Sequence, residues 1–192
     1  MARRTNQSHN NVNGNNNKIV GGDDKSTTNI NNYGSTGKLA TLFKKLKECF
    51  DNNDEIEKIS NDLKRYTNRR DTKGLEEKLR EADKSYLYED FAWLKQEFYK
   101  KLVLYQNYEP AQDIFAYILA IVLEKNINVI KPMIREDAKE SDILSAISTE
   151  IVNPILNLIE AEGCNDIIGL SSTEIQGMFH YLTGNCHINW VV

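Results

Sequence analysis

The run from Ile114 to Leu123, inside QDIFAYILAIVLEKNI (Gln112–Ile127), contains only apolar residues and one Tyr. No polar stripe interrupts it at helical spacing, and a helix that is apolar all round has to be covered on all sides. The run is far shorter than the roughly 20 residues that span a bilayer. A buried strand competes for any short apolar run. Ala116, Leu119, Ala120 and Leu123 are good helix formers, and Pro110 stands where a first helical turn would take it. The spacing therefore predicts a buried central helix and an all-α bundle built around it.

Charge is unevenly spread. Residues 1–38 hold five Lys/Arg against two Asp, residues 39–108 fifteen basic against fourteen acidic, and residues 109–192 four basic against twelve acidic. The acidic last segment argues against a broad nucleic-acid surface there. Three widely spaced cysteines (Cys49, Cys164, Cys186) and the polar start MARRTNQSHN are expected of free thiols in a reducing cytoplasm, without a signal peptide. No stretch reads as a transmembrane span, and no membrane partner is expected.

Residues 1–38 form a separate Asn/Gly-rich segment, with ten Asn among the first 32 residues. Val12, Ile19, Val20 and Ile30 are its only large apolar residues, too few to build a core. Short β-prone pieces stand between Asn/Gly turns, and stacked Asn side chains can form amide ladders with β-branched residues packed between them. Composition leaves three uses open: a solubilising linker, a templated self-assembly motif, or a strand added to a partner's sheet. The candidate self-assembly residues are Asn13, Asn15, Asn16, Asn17, Ile19, Val20, Gly21 and Ile30. The segment NGNNNKIVGGD resembles the amyloid-type motifs of bacterial immune proteins, which are similar to the RIP homotypic interaction motif. Ile19, Val20 and Gly21 match the β-branched core beside Gly; the Gln central to the animal motif is absent. That resemblance implies ordered self-assembly and a homo-oligomer.

Residues 39–192 read as the helical domain. Leu39, Leu42, Phe43, Leu46 and Phe50 fall on one helical face, with Cys49 close to it. Asp54, with Glu57 three residues on, predicts a capped second helix carrying Ile56, Ile59, Leu63 and Tyr66. Leu75 and Leu79 mark a short charged helix. A long amphipathic helix is expected over 85–108, then the central helix, which Pro132 is expected to kink or end. Asp142–Glu160 carries another apolar stripe, and Pro154 predicts a kink or break near Asn153. Gly163 ends that helix. Ser171 or Ser172 caps a last one, with Glu174 in its first turn, and Gly184 stops it.

Two features point outward. KRYTNRRDTKG is the dense basic cluster of the domain; its Arg65, Arg69 and Arg70 suit carboxylates or phosphates, although cations also belong at a helix C-terminus. Tyr86, Tyr88, Trp93, Tyr99, Tyr105 and Tyr108 crowd one helix. Most should be core and rim, but Tyr and Trp are enriched at protein interfaces, which makes Trp93 and Tyr99 partner-binding candidates.

The terminal segment GMFHYLTGNCHINWVV holds the one close group of metal or nucleophile types: His180, Cys186 and His187. A zinc site needs about four ligands, and adjacent Cys186 and His187 point apart in an extended chain. The alternation of Cys186, Ile188 and Trp190 with His187 and Asn189 instead predicts an extended terminus packed on the helices. No catalytic residue, metal or cofactor is expected, and the chain is read as no enzyme. The ending YLTGNCHINW is similar to that of the helical C-terminal domains of bacterial ABC-three-component conflict systems, of which Lamassu-type anti-phage systems are examples. His180, Cys186, His187 and Trp190 carry that likeness. The resemblance implies a domain linking an effector module to an ABC-type ATPase and a middle component, with only the Asn-rich tail standing where an effector would be. It implies an assembly or signalling adaptor of antiviral defence, or a docking subunit whose tail is a linker.

Overall fold

The computed structural model describes residues 37–69 and 73–191. The described residues form α-helices and no strand, as the apolar periodicity predicts. In order they are α1 (Lys38–Asn52), α2 (Asn61–Thr67), α3 (Leu75–Glu81), a 3-10 turn (Ser85–Leu87), α4 (Tyr88–Tyr105) and α5 (Glu109–Lys125). A π-helical segment (Asn126–Ile130) then runs into α6 (Lys131–Arg135); α7 (Glu140–Ala146) runs through a second π segment (Ile147–Val152) into α8 (Asn153–Glu162), and α9 is Ser172–Gly184. The self-assembly candidates Asn13, Asn15, Asn16, Asn17, Ile19, Val20, Gly21 and Ile30 lie outside the described residues, as does Arg70.

The central helix starts where Pro110 predicts and packs against α1, α2 and α9. It is not covered all round: Tyr117, Ala120, Ile121 and Leu123 are only half-buried. Its fully buried side is narrower and has an unusual period. Ile114, Ile118, Val122, Asn126 and Ile130 are all buried, at intervals of four. Ile143, Ile147, Ile151, Ile155 and Ile159 repeat the pattern in the second long helix. In a pure α-helix, at about 100° per residue, a step of four drifts roughly 40° around the axis, so five such residues would spiral off one face. A π segment holds more residues per turn and unwinds that drift. Each stripe contains one.

The same segments correct the expected breaks at proline. Both helices continue, through Pro132 to Arg135 and through Pro154 to Glu162. A proline ring presses on the carbonyl four residues earlier. Those carbonyls belong to Asn128 and Glu150, which sit inside the widened π turns. Because Pro154 does not interrupt it, the helix Glu140–Glu162 is long and apolar enough, by length and composition, to cross a bilayer, which the sequence reading did not foresee. Here its isoleucine stripe is buried in the protein core.

The second helix begins later than Asp54 and Glu57 suggest. Its N-cap is Ser60, whose hydroxyl accepts from the Leu63 amide (3.2 Å). Residues 54–59 are drawn out by contacts from far along the chain. The Ile56 amide donates to the Asn107 carbonyl (2.7 Å). Gln112, fully buried on α5, accepts from the Ser60 amide (2.6 Å) and donates to the carbonyls of Lys58 (3.1 Å) and Gln106 (2.6 Å). The two Gln112 bonds to Lys58 and Ser60, together with the Ile56–Asn107 bond, are three long-range hydrogen bonds, and they outweigh a local capping preference worth about 1 kcal/mol.

Helices α4 and α9 are the most closely packed pair. Gly177 allows this: a β-carbon there would lie 2.3 Å from the Leu94 carbonyl oxygen and 2.8 Å from Phe98 Cβ. Helix α9 opens with the expected capping box, in which Ser171 accepts from the Thr173 amide (3.2 Å) and Glu174 accepts from the Ser171 amide (2.9 Å). Its far end is closed by Lys78 of α3, a buried lysine that donates to the carbonyls of Thr183 (2.8 Å) and Ile188 (2.7 Å). Helix α1 is capped from a distance as well: the Glu162 carboxylate accepts from the amides of Leu39 (3.0 Å) and Ala40 (3.3 Å).

Candidate functional site

Helix α4 buries Phe91, Phe98, Leu102 and Tyr105 and turns Trp93, Tyr99, Val103 and Leu104 outward. Trp93 is 57% exposed and Leu104 63%. At 100° per residue Trp93, Lys100 and Leu104 fall on one line, Val103 lies about 80° to one side of it, and Tyr99 about 120° round, at the edge of the packed face. The Tyr99 ring is held in place by Tyr181 of α9, with centroids 6.3 Å apart. Lys100 pairs with Glu97 (2.6 Å) beside the apolar residues. A rigid helix therefore presents an aromatic and aliphatic strip to solvent, with charge along it. Val103 and Leu104 were missed in the sequence because the apolar stripe of α4 leaves them over; the excess of apolar residues on a helix already packed through one face is the signal that finds them.

Arg65 is exposed and pairs with Asp62 (3.3 Å). Arg69 is exposed and stands near Gly74, with a guanidinium nitrogen 3.2 Å from where a β-carbon would be; burial, and secondarily the charge of Arg69, lower the pKa of Lys95 on α4. Lys95 was no sequence candidate, since nothing local ties it to a residue 26 positions earlier.

The terminal group is dispersed into packing. His180 is 2% exposed, stacked on Phe91 (centroids 3.8 Å apart), with Phe179 edge-on at 5.5 Å. Burial lowers its pKa from 6.5 to about 3, so the ring is neutral near neutrality. Trp190 joins the same box, stacked on Phe91 (5.7 Å) and edge-on to Phe179 (6.2 Å). His187 lies against Tyr66 instead (6.2 Å), and the Cys186 thiol donates to the Lys73 carbonyl (2.9 Å). The terminus is not the extended segment that the alternation suggests. Cys186 takes a left-handed conformation (φ 66°), and the amides of His187 and Ile188 turn back onto the Leu182 carbonyl. These bonds satisfy the open end of α9, which an extended chain would leave unpaired. Ile188 and Trp190 are nevertheless buried and Asn189 exposed. Among the described residues no group of three or more His, Cys, Asp or Glu is placed to hold a metal ion.

Burial raises the pKa of the Cys49 thiol, with Asp54 and Glu48 adding to the effect, which disfavours its thiolate.

A family model described as C-terminal domain 9 of the ABC-three component (ABC-3C) systems matches residues 74–190. The match runs from the start of α3 to the buried Trp190 and leaves out α1 and α2. No curated protein and no solved structure matches the chain.

Proposed function

The chain belongs to the C-terminal domain 9 family of the ABC-three component systems, and from that premise we propose that it is a non-enzymatic adaptor whose helical domain docks on a protein subunit of such a system, an ABC-type ATPase among them. The observation that carries this reading is the outward strip of α4. Trp93 and Leu104 are large, exposed and mounted on a helix whose other side is fixed to α9. Exposed aromatics on rigid elements supply interface energy at low entropic cost. The buried neutral His180 and the engaged Cys186 thiol suit packing rather than chemistry. The acidic balance of residues 109–192 favours a protein over a nucleic acid. A cytoplasmic setting and a role in antiviral defence go with the same reading.

Co-purification with the ATPase and middle subunits of its own system tests it. Trp93→Ala and Leu104→Glu, both at exposed positions, are expected to keep the fold and weaken the complex at least tenfold, since buried Trp anchors commonly contribute about 2 kcal/mol or more. Unchanged complex formation by both variants sinks the docking reading.

The Asn-rich segment adds self-assembly to this proposal. Thioflavin fluorescence and electron microscopy of the full chain, beside a version starting at Lys38, separate the uses of the tail. Fibrils from the full chain alone support an assembly motif. Their absence from both, with and without seeds, leaves docking as the whole function and the tail as a linker.

A further inference from the structure

Four residues on the outward side of α4 form a strip that reads the same from either end. Trp93 and Leu104 are its outer pair, Glu97 and Lys100 its inner pair, and the steps between them are four, three and four residues. At 100° per residue the four fall within about 60° of arc, opposite the buried Phe91, Phe98 and Leu102. Trp93, Lys100 and Leu104 are exposed and Glu97 is half-buried. Alternating steps of four and three are the spacing by which two helices pack side by side along a seam.

A strip with this symmetry is complementary to itself. Let two copies of α4 lie antiparallel about a two-fold axis midway between Glu97 and Lys100. Trp93 of each then faces Leu104 of the other, and Glu97 of each faces Lys100 of the other. Every contact is made twice, as an isologous interface requires. The parallel arrangement would set Glu97 against Glu97 and Lys100 against Lys100, which like charge disfavours. A partner of unrelated sequence has to bring a cation opposite Glu97, a carboxylate opposite Lys100 and two apolar side chains at matching steps. A second copy brings all four. We infer that the outward strip of α4 seats a second copy of this chain, paired antiparallel. This deepens the docking reading and rests on it, because it names the occupant of the same strip. A paired chain offers the other subunits two copies at once, so loss of the pair also weakens the larger complex. The contact runs along only about 16 Å of helix, which suits a weak pair with a Kd of about 10–100 µM.

The test is sedimentation equilibrium of the full chain by itself, with no other subunit present, on the wild type and on the charge reversals Glu97→Lys and Lys100→Glu. The wild type is expected to dimerise in the range given. Each reversal sets two like-charged pairs across the axis and is expected to weaken the dimer at least tenfold. Mixing the two reversed chains is expected to restore pairing, because every cross-axis contact between them is again of opposite sign. Carrying both reversals in one chain is expected to do the same. Trp93→Ala changes no charge and is expected to weaken the dimer as well, and circular dichroism checks that each variant is folded. Assembly through residues 1–38 would not respond to charges on α4, so the mixing result reads this contact alone. A wild type that stays monomeric at about 0.5 mM, well above the expected Kd, overturns the inference. So does a dimer that both reversals and Trp93→Ala leave intact, or folded reversed chains that do not pair on mixing. A monomeric chain whose subunit complex is still weakened by Trp93→Ala rejects the second copy and keeps the docking reading. A dimer that behaves as described, beside a subunit complex indifferent to Trp93→Ala and Leu104→Glu, keeps the second copy and rejects docking of other subunits through the strip.

Discussion

Replacing Gly177 with Ala is expected to lower the stability of the domain by roughly 3 kcal/mol, against the usual gain from Gly to Ala inside a helix. The added methyl would stand 2.3 Å from the Leu94 carbonyl oxygen and 2.8 Å from Phe98 Cβ. The first is backbone of α4 and cannot swing aside. The second is the root of a fully buried phenylalanine wedged between Phe115 and Tyr181, with ring centroids at 5.8 and 5.1 Å. Relief therefore requires α4 and α9 to separate along their whole contact. For a domain of this size each kcal/mol moves Tm by about 2–4 °C, so thermal unfolding should drop by roughly 6–12 °C. An unchanged Tm would show that the two helices are not as close as described. Because the outward strip of α4 rides on this contact, the variant should also weaken subunit binding.

Acid should unfold the domain through His180. The unfolded chain takes up a proton on this ring near pH 6.5, and the folded chain only at about 3. Between those values the unfolded state binds more protons, so stability falls as pH falls, starting below about 6.5 and levelling off near 3. At about 1.4 kcal/mol per pH unit, roughly 2 kcal/mol is lost by pH 5 and between 4 and 5 kcal/mol by pH 3. The cause is burial: Phe91 and Phe179 enclose the ring, and among the described residues its Nδ1 has no hydrogen-bond partner. His180→Phe keeps an aromatic ring in the box and removes the titration. The comparison isolates this residue from carboxylates such as Glu140, whose pKa is lowered first by its hydrogen bond from Lys84 and whose protonation also destabilises in acid. Chemical denaturation at pH 7 and pH 5 should show the wild type losing about 2 kcal/mol more than the variant. Parallel pH profiles for the two proteins would refute the assignment.

Both effects arise where α9 meets α4, and neither could be read from Gly177 or His180 in isolation. A glycine within an apolar helix is compatible with tolerance or with contact, and a histidine among aromatics with a ligand or with packing. The partner surface decides, and it comes from α4, about 80 residues earlier.

What the sequence determined by itself is the set of elements that local pattern controls. Apolar residues at helical spacing located α1, α3, α4 and α5, and the capping residues Ser171 and Glu174 with Gly184 located α9, because periodicity and caps are properties of neighbouring residues. The two exact spacings of four, Ile114 to Ile130 and Ile143 to Ile159, also lie in the sequence, and they signal helices wound more loosely than α. With that period in view, Pro132 and Pro154 read as passengers of π turns rather than as stops. Other outcomes belonged to tertiary structure alone. Gln112, through its bonds to Lys58 and Ser60, and the Asn107 carbonyl, through Ile56, drew residues 54–59 out of the helix that Asp54 and Glu57 would cap. Lys78 and Glu162 closed the ends of helices more than 100 residues away. Trp93 and Leu104 stayed exposed, because packing α4 on α9 uses only one of its faces. Local chemistry fixes where a helix forms; which face remains free, and which charges are brought together, follows from how the helices fill one another's grooves.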